Sequence, residues 1–63
     1  MPVVEITLIE GRSDEAKSRL HAKVADAIIE SIGAPRESVR IILREVPALH
    51  FSVGGATKVT PKT

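Results

Sequence analysis

SDEAKSRLHAKVADAIIESIGAP, running from Ser13 to Pro35, is the stretch that decides the fold. Ser13 is a strong helix N-cap, and Asp14 and Glu15 place carboxylates where the first-turn N–H groups and the helix dipole favour them. Ala16, Leu20, Val24, Ala27 and Ile28 recur at spacings of three and four, and Ala25, Ile29 and Ile32 widen the stripe. Lys17, Lys23, Asp26 and Glu30 fall mostly off it, so the segment predicts an amphipathic helix with a broad apolar face. Gly33 suits the left-handed C-cap position, and Pro35 enforces the stop.

On either side lie two β-branched runs. Val3 to Ile9 puts Val4, Ile6 and Leu8 on one face and Val3, Glu5, Thr7 and Ile9 on the other. Val39 to Val46 puts Val39, Ile41 and Leu43 on one face and Arg40, Ile42 and Arg44 on the other, and Pro47 ends it. Neither face of the first run is cleanly polar, so both are expected to be covered. A helix of about 19 residues rises roughly 28 Å, enough to return the chain along a strand of roughly 23 Å. The expected fold is α/β (α+β): a single β-α-β unit with parallel strands joined by a right-handed crossover. The segment Ala48 to Thr63, with Phe51, Val53, Gly54-Gly55 and Val59, is expected to form a short hairpin or arm with a loose end at Thr60 to Thr63.

The 63 residues are expected to form one domain, 1–63, with a marginal core. Cysteine is absent, and His21 and His50 are too few and too far apart for a structural zinc site. Self-association is then the route left for stabilising so small a unit, because two strands and one helix do not stand alone. A 43% apolar composition with a net charge of +1 is not that of a disordered chain. No apolar run reaches membrane-spanning length, and no signal peptide is read at the start, so a cytoplasmic location is the expectation. Interspersed charges and a single aromatic, Phe51, argue against nucleic acid as a partner. The cluster Arg36, Arg40 and Arg44 better suits a small anion.

Pro2 carries the most chemical information. With Met1 attached, its nitrogen is a tertiary amide without useful basicity. With Met1 removed, which a small second residue permits, the same atom is a secondary amine on a rigid ring. Taken alone, Pro2 reads as a strand-start proline, Arg12 as a solvated arginine, and Phe51 as interface core. Arg40 could sit on a wet sheet face or pair with Glu45 or Glu5. Gly54-Gly55 reads as a turn, because no phosphate-loop pattern surrounds it.

Taken together, Met1-Pro2, Leu8-Ile9-Glu10-Gly11-Arg12-Ser13-Asp14-Glu15, Lys17, Ala34-Pro35, Ser38-Val39-Arg40, His50-Phe51 and Val53-Gly54-Gly55 resemble the 4-oxalocrotonate tautomerase family over nearly the whole chain. The resemblance implies an isomerase that needs no cofactor or metal and converts 2-hydroxymuconate-like dienol dicarboxylates to conjugated 2-oxo acids. It implies Pro2 as general base, Arg12 and Arg40 as the pair gripping the dicarboxylate, Phe51 as an aromatic wall, and Ile9 as donor of a backbone N–H to the substrate oxygen. It also implies a homohexamer, a trimer of dimers with Arg40 reaching in from a neighbouring dimer, and a setting in aromatic-compound catabolism.

The chemistry is coherent. An apolar wall and nearby guanidinium groups both disfavour a proline cation, which frees the neutral amine as a base. The same arginines suit a dianion and the dienolate character of the transition state. Pro2 and Arg12 would stand roughly 30 Å apart if the chain between them were extended, too far to share one small substrate. Two copies pairing their first strands antiparallel would bring Pro2 of one to the Ile9-to-Arg12 end of the other.

The sequence departs from the family pattern at Pro47, Leu49, Ser52, Lys58 and Lys62, which bears on substrate preference. A dehalogenase-like hydratase is disfavoured by Ile9 and Val53, which stand where those relatives place further polar groups. A biosynthetic tautomerase for another enol acid and a non-catalytic oligomeric carboxylate-binding module are the remaining alternatives.

Overall fold

The computed structural model describes residues 1–57. In chain order these form strand β1 (Val3–Ile9), helix α1 (Asp14–Ile32), a 3-10 turn at Arg36–Ser38, strand β2 (Arg40–Val46), a second 3-10 turn at Ala48–His50, and the two-residue strands β3 (Ser52–Val53) and β4 (Ala56–Thr57). β1 and β2 pair in parallel, in a register that runs from Val3 opposite Arg40 to Ile9 opposite Val46. The short hairpin expected after β2 is present as β3 and β4, paired antiparallel. Gly54 and Gly55 turn it with φ values of 60° and 87°, a conformation that glycine adopts without a Cβ clash. The expected loose end at Thr60 to Thr63 lies outside the described residues.

The helix starts and stops where its caps require. The Ser13 hydroxyl accepts the Ala16 N–H at 3.1 Å. Gly33, at φ 71°, donates its N–H to the Ile29 carbonyl at 3.0 Å. β2 begins one residue later than expected, at Arg40. The Val39 N–H is taken by the Arg36 carbonyl at 3.2 Å, so this residue closes the 3-10 turn just ahead of the strand.

Alternation along the strands matches the two faces. Val4 opposite Ile41 and Ile6 opposite Leu43 are half-buried, whereas Val3, Glu5, Thr7, Arg40, Ile42 and Arg44 are exposed. On α1, Ala16, Leu20, Val24, Ala25, Ile28 and Ile29 are half-buried. Ala27 and Ile32, assigned to the apolar stripe from the sequence, are exposed, Ile32 by 68%. For Ile32 the reason is length: the helix rises about 28 Å against roughly 23 Å of strand, which leaves its terminal residue with less sheet to pack on than Ile28 and Ile29 have.

No described residue is fully buried. Val3 is 55% exposed and Ile42 44%, so the sheet face away from α1 carries apolar surface in contact with water. Ser13→Ala is expected to cost about 1 kcal/mol of stability through the lost cap. Denaturant unfolding of both proteins at matched concentration checks it, since association would otherwise mask the difference.

Candidate active site

β1 carries candidate residues at both ends. At its C-terminal end, Thr7, Leu8, Ile9, Arg12, Val46 and Phe51 line a cleft of about 310 Å³. Three of the residues singled out from the sequence, Ile9, Arg12 and Phe51, meet there. Gly11 makes this possible: its φ of 128° reverses the chain after β1. Arg12 thereby folds back, and its Nη1 donates to the Ile9 carbonyl at 2.8 Å. Phe51 follows the second 3-10 turn, where its N–H bonds the Ala48 carbonyl at 3.1 Å. Leu8, Ile9, Val46 and Phe51 make the cleft mainly apolar, with one guanidinium at its rim.

Pro2 and Arg40 lie at the opposite end. The Arg40 N–H donates to the Pro2 carbonyl at 3.0 Å, and Val3 stands opposite Arg40 in the ladder. The Arg40 side chain turns away from β1, with Nη1 on the Glu37 carbonyl at 2.5 Å. Because Arg12 folds back over Ile9, the separation of the two groups is set by β1 itself, roughly 23 Å over seven residues. That is shorter than the extended-chain figure, yet still beyond the reach of one small substrate.

The ladder also fixes where the β1 amides point. Pro2 accepts from Arg40, and Glu10 donates to the Val46 carbonyl at 2.9 Å, so the even-numbered residues of β1 face β2. N–H and C=O of one strand residue project to the same side, and sides alternate along a strand. Val3, Glu5, Thr7 and Ile9 therefore turn their amides to the edge away from β2. The Ile9 N–H is among them.

Charge divides the arginines outside the helix into two kinds. Arg36 bonds Asp26 at 2.8 Å, and Arg44 pairs with Glu5. Arg12 and Arg40 form no ion pair among the described residues; each is held by a main-chain carbonyl three residues earlier. The partners considered for Arg40 are taken, Glu5 by Arg44 and Glu45 by Lys17. A guanidinium braced this way keeps its full charge and most of its donors for an anion.

Sequence reasoning missed Thr7, Leu8 and Val46 as cleft residues. Val46 joins Ile9 only through the parallel register, which no local signal supplies. A second cleft of about 430 Å³, lined by Asp14, Lys17, Ser18, His21, Leu43 and Glu45, holds none of the expected site residues. Its lysine is already neutralised, with Nζ 3.1 Å from Glu45 and 3.5 Å from Asp14. Among the described residues no group of His, Cys, Asp and Glu is placed to hold a metal ion, and no helix is long and apolar enough to cross a membrane.

A β-α-β unit with an apolar cleft and two unneutralised arginines fits a class of small acid–base isomerases. The tautomerase enzyme family matches residues 2–60. A probable tautomerase of Ralstonia nicotianae is 50% identical over 62 residues, which are 98% of this chain and 89% of that protein. A 2-hydroxymuconate tautomerase of Stutzerimonas stutzeri is 49% identical over 55 residues, 87% of each chain. A 4-oxalocrotonate tautomerase from Chloroflexus aurantiacus, described as a heterohexamer, superimposes with a TM-score of 0.87 at 38% identity, covering 90% of this chain and 92% of its own. The chain belongs to the 4-oxalocrotonate tautomerase family of the tautomerase superfamily, and it is an isomerase.

The Lys17 ammonium is held protonated beyond its usual range, first by its hydrogen bond to Glu45 and against an opposing effect of desolvation. A raised pKa in the folded state means that the pair's contribution is complete at neutral pH and is lost as pH rises through that pKa. Glu45→Gln is expected to lower the denaturant midpoint at neutral pH and to match wild type once Lys17 is neutral. A gap that persists unchanged into the alkaline range would show that the loss is one of packing instead.

Proposed function

We propose that this chain ketonises 2-hydroxymuconate-like dienol dicarboxylates, with Pro2 as general base after Met1 removal. The amine takes the enol hydroxyl proton and, as an ammonium, returns it to a carbon of the conjugated system. One carbon–hydrogen bond forms, one oxygen–hydrogen bond breaks, and no cofactor takes part. Arg12 and Arg40 hold the two carboxylates, the Ile9 N–H meets the substrate oxygen, and Phe51 walls the proline nitrogen from water. Burial beside cations favours the neutral amine, which is the form a base needs.

The observation that carries this reading is the division of these residues between the two ends of β1, whose second edge is unpaired among the described residues. Antiparallel pairing of two β1 strands along that edge would set Pro2 of one copy against the Ile9, Arg12 and Phe51 cleft of the other. The site is then shared between subunits of a homo-oligomer built from the single 1–63 domain. A hexamer, a trimer of dimers that also recruits Arg40 from a neighbouring dimer, is the assembly we assign. The described heterohexamer of the Chloroflexus aurantiacus relative supports that stoichiometry. The 2-hydroxymuconate tautomerases among the relatives support the substrate, and a cytoplasmic setting and a place in aromatic-compound breakdown are part of the same proposal.

The test is ketonisation of 2-hydroxymuconate followed by absorbance, with protein whose mass verifies the loss of Met1. Pro2→Ala is expected to lower kcat by about 10²- to 10⁴-fold with assembly intact. Arg12→Ala and Arg40→Ala should each lower kcat/KM by about 10²-fold or more, the cost of unpairing a buried charged contact. Full turnover by Pro2→Ala would refute the mechanism, and a monomer in sedimentation would refute the shared site. An assembled, Met-free protein that does not turn over 2-hydroxymuconate would move the assignment to another enol acid or to carboxylate binding alone.

A further inference from the structure

Arg40 has no carboxylate to hold it among the described residues, so its aim depends on the carbonyl of Glu37, and that carbonyl sits in the 3-10 turn Arg36–Ser38. Three bonds close this turn on itself. The Ser38 hydroxyl and N–H both donate to the Pro35 carbonyl, at 2.8 and 3.0 Å, and the Val39 N–H donates to the Arg36 carbonyl at 3.2 Å. None of the three ties the turn to the rest of the protein. Arg36 does: its Nη2 bonds Asp26 Oδ1 at 2.8 Å, across to the middle of α1.

The two side chains are 65% and 47% exposed, so the pair contributes little to stability. Its consequence is geometric. Without it, no side-chain hydrogen bond or ion pair among the described residues ties the turn to α1, and the Glu37 carbonyl loses that restraint. Arg44 lies on the same sheet face as Arg40 but is fixed directly by Glu5, so it needs no such relay.

We infer that the Asp26–Arg36 ion pair is a positioning device for Arg40: it locks the Arg36–Ser38 turn to α1, so that the Glu37 carbonyl presents the Arg40 guanidinium in one fixed orientation. Asp26 and Arg36 touch no substrate in this scheme. The inference rests on the proposed reading of Arg40 as a carboxylate-binding group.

The experiment is steady-state kinetics on 2-hydroxymuconate for Asp26→Asn, Arg36→Leu, the charge-swapped double variant Asp26→Arg/Arg36→Asp, and Arg40→Ala. Losing the lock leaves one long side chain to be ordered on binding. Each single variant should therefore raise KM by about three- to tenfold with kcat within about twofold of wild type. The double variant should recover most of that loss. Sedimentation and thermal unfolding verify that each variant is assembled, and a merely structural role would move those readings without splitting KM from kcat. Wild-type KM in both single variants, or a double variant no better than the singles, overturns the inference while Arg40→Ala remains impaired. If Arg40→Ala itself turns over normally, it is the reading of Arg40 that fails.

Discussion

A seven-residue β-strand is a stiff rod, and the rest of the molecule is arranged around the fact that β1 cannot fold its two ends together. β2 fixes one edge of the rod through a parallel ladder that runs its whole length. The ladder bonds at Pro2 and Glu10 extend it by one residue at each end, so neither tip is free to bend toward the other. Chemistry that uses both tips must be completed by a second rod lying the other way. Among the described residues, the odd-numbered amides of β1 leave an unpaired edge suited to that arrangement. An open edge in a small protein is ordinarily an aggregation hazard, and specific pairing with another copy is one way of removing it.

The arginines follow the same logic at shorter range. Arg36 and Arg44 are tied to carboxylates, and exposed pairs of that kind add little to stability. Their effect is to fix turns and faces. Arg12 and Arg40 are braced by backbone carbonyls instead. A carbonyl orients a guanidinium without cancelling its charge, whereas a carboxylate would do both. The division therefore separates cations that organise the protein from cations left to meet an anion. On the proposed mechanism those same charges also favour the neutral proline amine, so binding and basicity have a common source.

Most of the fold was legible because its signals are local. Ser13, Gly33 and Pro35 mark the helix by cap chemistry, and alternation of apolar residues marks β1 and β2. The parallel pairing followed from helix length. Legibility failed where a tertiary partner decides the outcome. Val39 looks like strand by composition, but the Arg36 carbonyl captures its N–H. Ile32 fits the helical stripe, yet it stands at the end of the helix and is left 68% exposed while Ile29, one turn earlier, is half-buried. For the candidate site, Pro2, Arg12, Arg40, Ile9 and Phe51 could be singled out only as a pattern, since each alone has a plain structural reading. Val46 and Thr7 entered with the strand register. The turn that folds Arg12 back on Ile9 required the positive φ of Gly11, which sequence permits but does not dictate.

Exposed area links these points. A compact protein of this mass exposes about 3,950 Å², whereas this chain exposes 4859 Å². Part of the exposed area is apolar. It includes Val3 and Ile42 on the sheet face away from α1, and Leu49, Phe51 and Val53 after β2. Phe51 belongs to both accounts, as exposed apolar surface and as a wall of the cleft beside Arg12. Covering it with another copy would bury hydrophobic area and close the cleft in one step. Stability and completion of the candidate site would then arise from the same contact, in a chain with no fully buried described residue.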